Sequence, residues 1–306
     1  MGQKTVEIIG AEDYKIKLFV YETDSASVRG SVLLLHGMAE HYERYLDFIR
    51  VLNEAGFDAY IYNHRGHGKD LDPKDWGFFA KKEGARLVVT DAVEAMKYVY
   101  GNKRSKKCAL FGHSMGSLIG RNVIQQFDQM DCALFCGTGF QPDSMCRGGI
   151  FMGNLVSTFC GPRHKSPFLN KLMFETKVYL RDCKRTKSDW LTKDEKIVDA
   201  YRADPACGFI CSASFYRDLV TITGNAKWGM EKTRHDLPIL IASGEDDPVG
   251  DFGVGIRALF EKYDELGFTN VSMKLYPGDR HELLNETDKE TVYKDFIDFF
   301  GKHMEA

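Results

Sequence analysis

Apolar positions along the chain fall into two periods that alternate with each other. Residues 6–9 and 15–21 switch between apolar and polar side chains on either side of Gly10-Ala11-Glu12-Asp13, the pattern of an antiparallel hairpin. Residues 31–35 are a continuous apolar run and predict a strand buried on both faces. Residues 45–52 then take helical spacing and stop near Gly56. A second buried strand is expected over 58–62. The spacing over 85–100 predicts a strongly amphipathic helix, with Val88, Ala92, Ala95, Met96 and Val99 on one side. Strands over 108–111 and 132–136 flank a helix expected over 117–126. Apolar strands alternating with helices imply a parallel sheet covered on both faces.

The alternation stops at about Phe140. From there to His235 no strand pattern is visible, and short helices are expected over 150–159, 168–179, 193–201 and 212–222. It resumes with strands over 237–242 and 271–276 and helices over about 252–266 and 288–303. The expected architecture is therefore α/β: a mostly parallel central sheet with helices on both faces, formed by residues 1–139 and 235–306, and an inserted helical cap over 140–234.

Composition changes this picture little. The chain has 306 residues, 43% hydrophobic and 28% charged, with a formal charge of −3. Such a balance gives no reason to expect nucleic acid or an anionic membrane as a partner. No apolar run reaches membrane-spanning length. The first residues lack the apolar segment of a secretory leader, so a cytoplasmic location with reduced thiols is expected. Eight cysteines contain no C-x-x-C pair, and no metal or cofactor site is expected. Cys108, Cys132 and Cys136 lie in apolar runs and read as small core residues.

Candidate chemistry centres on Gly112-His113-Ser114-Met115-Gly116, a G-x-S-x-G motif between a predicted strand and a predicted helix. Such a turn is sharp enough to push the serine hydroxyl outward, and glycine fits two residues to either side of it. Met115 N–H, at the start of the helix, points the same way and can stabilise an oxyanion. A serine nucleophile needs a base, and the base an orienting acid. Of nine histidines, His281 alone follows the last strand and is the expected base. Glu245, Asp246 and Asp247 follow the preceding strand. Asp247 is favoured as the acid because it lies three residues past Gly244, with Asp246 second. The second oxyanion donor is expected from His36-Gly37-Met38, through Met38 N–H.

Residues 36–45 (His-Gly-Met-Ala-Glu-His-Tyr-Glu-Arg-Tyr), Asn63-His-Arg-Gly-His-Gly68 and the elbow itself resemble the monoacylglycerol lipase and lysophospholipase group of α/β-hydrolases, also described as serine aminopeptidase-like. The resemblance is dense over about 30–127 and 237–285 and thin over 140–234. It implies Ser114 as nucleophile, Asp247 as orienting acid, His281 as base, and the N–H groups of Met38 and Met115 as the oxyanion hole. It also implies that Glu40 and Arg44 lie near the polar end of a substrate, or else form a local ion pair. Arg65-Gly66-His67-Gly68 reads as a tight hydrogen-bonded loop under the site. Glycerol-specific members often carry a further histidine just after the base, where this chain has Leu283 and Leu284.

These residues predict hydrolysis of a small or lipid-like carboxylic ester. The alternative within enzymes is an aminopeptidase or amidase on the same triad, which needs a cap acid such as Glu175, Asp182 or Glu195 to hold a substrate ammonium. A non-catalytic ligand receptor on the same scaffold is the alternative outside them. In the cap, Arg163, His164 and Lys165 are either an anion-binding cluster or a solvated basic turn.

Overall fold

A computed structural model describes residues 2–305. Among them, eight strands form one sheet: β1 (Gly2–Ile9), β2 (Lys15–Glu22), β3 (Gly30–Leu35), β4 (Phe57–Tyr62), β5 (Cys108–His113), β6 (Cys132–Cys136), β7 (Ile239–Gly244) and β8 (Val271–Tyr276). Their spatial order is β1-β2-β4-β3-β5-β6-β7-β8. β2 runs antiparallel to β1 and β4, and every other pair is parallel. The hairpin read from the sequence thus becomes one edge of the sheet.

Continuous apolar strands arise because both faces are covered. In β3, Leu33 and Leu35 enter one core and Val32 and Leu34 the other. The first core is closed by α2 (Gly84–Asn102), α3 (Met115–Val123) and α8 (Val254–Glu265). The second is closed by α1 (Leu46–Glu54) and α9 (Lys289–Met304). Phe48, Phe111 and Phe296 meet in the second core at ring-centroid distances of 5.3–6.1 Å. Full burial of each such side chain stabilises the fold by about 1.5–3 kcal/mol.

Between β6 and β7 the chain runs through α4 (Asp143–Cys160), α5 (Pro167–Phe174), α6 (Glu195–Ala203) and α7 (Ala213–Trp228). Three of these elements differ from the sequence reading, α7 by running to Trp228, six residues beyond the expected end at 222. α4 starts seven residues earlier than expected, with Asp143 favourably placed in its first turn; Gly148 and Gly149 had hidden the period. α5 ends at Phe174 instead of reaching 179, because Thr176 starts a separate turn. Its carbonyl accepts from Leu180 N–H at 3.0 Å. All eight cysteines are free, and Cys108, Cys132 and Cys136 are buried as expected. No helix among the described residues is long and apolar enough to cross a membrane.

Candidate active site

The elbow forms where β5 meets α3. Ser114 sits at φ 52°, ψ −120°, a conformation costing a non-glycine residue about 1–3 kcal/mol. A side-chain carbon at Gly112 would lie 2.5 Å from Gly116 O, and one at Gly116 would lie 2.1 Å from Leu35 O. Glycine at both positions therefore lets α3 start directly against the end of β3. Ser114 N–H donates to Cys136 O at 2.9 Å, and Ser114 O accepts from Ser117 Oγ at 2.5 Å. The backbone is thus fixed while the side chain stays half-buried. Met115 is the first residue of α3, so its N–H has no acceptor within the helix.

His281 and Asp247 meet beside this turn. Their side chains approach to 3.0 Å, Nδ1 to Oδ2, and both are buried. Asp247 Oδ2 also accepts from Ser243 Oγ at 3.2 Å, and Oδ1 from Val249 N–H at 2.8 Å. These contacts orient the carboxylate toward Nδ1–H, leaving Nε2 of His281 as the acceptor nitrogen. The ring packs 4.8 Å from that of His113, which precedes Ser114. A carbon at Gly137, just after the acceptor of Ser114 N–H, would lie 3.1 Å from His281 Nδ1 and Cε1. Burial opposes a charge on His281, but Asp247 outweighs it and the imidazole pKa is raised. His113 and His36 are instead pushed down to about 4, chiefly by burial. Of the three acids, Asp246 lies half-buried, 3.1 Å from Arg181, and Glu245 lies 3.9 Å from Arg257.

Met38 follows Gly37, and a carbon at Gly37 would be 3.3 Å from Ser114 Cβ. The loop is held from below. Gly37 N–H donates to Glu40 Oε1 at 2.5 Å, and Ala39 N–H donates to His67 Nε2 at 3.1 Å. His36 Nε2 accepts from His64 N–H at 3.0 Å, which leaves the proton on Nδ1 to donate to Gly37 O at 2.7 Å. Arg65 binds Asp91 at 2.5 and 3.0 Å, and Asp91 also accepts from Ala11 N–H at 2.8 Å. The Arg65–Gly68 stretch is therefore the hydrogen-bonded loop expected, tied to the edge hairpin.

Glu40 and Arg44 form a closed network with a residue the sequence did not single out, Glu282. Arg44 grips Glu282 with two bonds of 2.7 and 2.6 Å and Glu40 with one of 2.6 Å. Tyr45 OH donates to Glu40 at 2.7 Å, and the guanidinium lies over the Tyr201 ring. Both carboxylates are buried. Burial opposes their charge, yet Arg44 prevails and lowers both pKa values. This placement favours bracing over substrate contact: Arg44 joins the Gly37-Met38 loop to the residue after His281. Removing Arg44 strands two buried carboxylates, so Arg44→Met is expected to destabilise the fold by about 3–5 kcal/mol near neutral pH in denaturant titrations. Carboxylates with lowered folded pKa values stabilise above their unfolded pKa of about 4.3. The gap between wild type and variant should accordingly shrink as pH falls below that value toward the lowered folded pKa, about 2 for Glu40.

Arg163 and Lys165 are engaged elsewhere. Arg163 pairs with Asp75 at 2.6 Å and Lys165 Nζ donates to Trp76 O. One group among the described residues has metal-ligand chemistry: His41, Asp204 and Cys207, with donor atoms within 4.8 Å of one another. Lys69 Nζ already lies 3.2 Å from Asp204 Oδ2 and supplies positive charge there. Burial pushes the Cys207 thiol up to about 12.

Trp190, which the sequence offers only as one of many cap aromatics for core or an apolar pocket, has its ring 5.0 Å from that of His281, and Glu286 carries no site reading in the sequence. The partners that give them their place, His281 for Trp190 and Thr192 and Lys193 for Glu286, are remote in the chain.

The sheet order, the elbow and the His281–Asp247 pair define an α/β-hydrolase. The family model Hydrolase_4, described as serine aminopeptidase S33, matches residues 26–288, and the chain belongs to that family. It is 24% identical over 297 residues to the monoacylglycerol lipase of Mycolicibacterium smegmatis, covering 92% of this chain and 91% of the relative. A solved structure described as a lipase in open form superposes with a TM-score of 0.89 at 25% identity, covering both chains fully. A thermostable carboxyl esterase from Bacillus coagulans in complex with glycerol superposes with a TM-score of 0.88 at 26% identity, covering 99% of each chain.

Proposed function

We propose that the protein is a serine hydrolase of carboxylic esters, of the monoacylglycerol lipase or lysophospholipase type, with residues 140–234 as the cap over its site. The observation that carries the reading is the His281–Asp247 pair set beside a serine on a strained elbow. Ser114 Oγ attacks the ester carbonyl and gives its proton to His281 Nε2. Met38 and Met115 N–H groups hold the resulting oxyanion. The C–O bond then breaks, and His281 returns the proton to the leaving alcohol. Water, deprotonated by His281, attacks the acyl-enzyme, which releases the acid and restores Ser114.

The names of the relatives support an ester substrate. A lipid-like one is supported by the insertion, where Phe151 and Phe159 of α4 are 66% and 80% exposed and Phe168 and Leu172 of α5 are also exposed. A small water-soluble ester has no need of such surface. Leu283 and Leu284 are buried, at 0% and 6% exposure, which leaves them in the core and unsuited to a glycerol headgroup. The peptidase alternative lacks an available acid among those considered. Glu175 pairs with Lys187 at 2.5 Å, Asp182 with Arg181 at 2.8 Å and Glu195 with Arg185 at 3.8 Å.

The test is a p-nitrophenyl ester series from acetyl to palmitoyl run beside aminoacyl arylamides. Ester turnover with an optimum at medium or long chains is expected, and faster arylamide turnover would reverse the reading. His281 must be neutral to act as base, and its pKa is raised. The acid limb of kcat/KM should therefore be centred above the ordinary imidazole value of about 6.5, activity rising with pH through it.

A further inference from the structure

The loop that carries His281 is held on one side by the sheet and on the other by the helical insertion. On the sheet side, Asp246 N–H donates to Asp279 O at 2.8 Å, and Asp247 holds the imidazole. On the insertion side, His281 N–H reaches Trp190 O at 3.4 Å and Glu282 N–H reaches Leu191 O at 2.7 Å. Arg280 Nη1 donates to Asp189 O at 2.5 Å and Thr192 O at 3.3 Å. Lys193 and Asp279 form an ion pair. The Trp190 ring lies over His281 and is itself packed by Tyr179, with centroids 5.2 Å apart.

One carboxylate joins the two sides. Glu286, 2% exposed, accepts from Arg280 N–H at 2.7 Å on Oε1. Its Oε2 lies 3.0 Å from both Thr192 Oγ1 and Lys193 N. One oxygen thus serves the His281 loop and the other serves the insertion. A buried group bonded on both sides fixes the spacing between them, since leaving either donor unpaired in the interior is costly.

We propose that residues 189–193 of the insertion are a fixed part of the catalytic centre, and that Glu286 is the positioning residue that clips them to the loop bearing His281. The proposal rests on the reading of Ser114, His281 and Asp247 given above. It also divides the cap: any opening that admits substrate pivots outside 189–193, since lifting that segment would displace the base.

The test uses the full chain, a short-chain p-nitrophenyl ester and two variants. Glu286→Gln keeps the shape but turns an NH2 toward one of the two donor sides. Its kcat is expected to fall about ten- to hundred-fold with KM little changed, the scale of a small misplacement of a reacting group. The acid limb should also move to lower pH. A slackened Asp247 contact no longer offsets the burial of His281, and burial lowers an imidazole pKa. Thr192→Val, altered only on the insertion side, should shift both readouts in the same direction by less. A folded Glu286→Gln protein with wild-type kcat overturns the proposal. So does a lower kcat with an unmoved acid limb, which marks a general loss of fold. If Glu286→Gln does not fold, Thr192→Val decides on the same readouts. Failure of the underlying reading looks different, because Ser114→Ala would then retain turnover.

Discussion

Ser114→Ala is expected to lower kcat for ester hydrolysis by at least about 10⁴-fold, the range over which removal of a serine nucleophile has been felt elsewhere. The reason is specific to the elbow. The strained turn carries one hydroxyl, that of the proposed nucleophile, and the rings nearest the proposed base His281 belong to His113 and Trp190, neither of which can take the place of the serine. The proposed oxyanion donors are backbone groups and survive the substitution, so a small residual rate over water is expected and KM should change little. The fold should survive too, because the contacts that hold residue 114 run through its N–H and C=O. A fluorophosphonate probe should label the wild type and not the variant. Undiminished turnover in Ser114→Ala would remove the covalent mechanism.

Asp247→Asn should cost kcat about 10⁴-fold, for a reason of proton placement rather than loss of contact. Val249 N–H donates to Oδ1, so an amide at 247 turns its oxygen there and its NH2 toward His281. Nδ1 must then accept, the ring proton moves to Nε2, and the base cannot take the hydroxyl proton of Ser114. The neighbouring Asp246→Asn breaks only a partly exposed pair with Arg181, worth about 1 kcal/mol or less, and should leave kcat within about two-fold. Steady-state kinetics on the two variants decide between adjacent acids. A severe loss in Asp246→Asn with little in Asp247→Asn would reverse the assignment.

Features that are local in the chain were legible before any coordinates. The elbow is five residues long, and its two glycines and the flanking strand and helix are all in one stretch. The order of strand ends put an acid at 245–247 and a histidine at 281. Choosing among the three acids took a positional argument in the sequence, and burial separates them in space. Glu282 was not legible, because its partner Arg44 lies 238 residues away. Glu286 was hidden for the same reason: Thr192 and Lys193 sit in the insertion, the part with no strand pattern and the thinnest resemblance. Helix ends slipped where glycine broke the period, at 148–149, or where a threonine began a new turn, at 176. The apolar pattern records which faces are covered, and it carries little about which remote polar group answers which.

The lacing at 189–193 sets a limit on recombination. Exchanging the whole of 140–234 for the equivalent segment of a relative would discard the carbonyls of Asp189, Trp190, Leu191 and Thr192 along with α4 and α5. A chimaera joined before Asp189 would keep the host's own seat for its histidine and trade only the helices upstream. Under the proposed role of the cap, substrate range could then be transplanted as a module, with the seam placed by the hydrogen bonds and not by the boundary of the insertion.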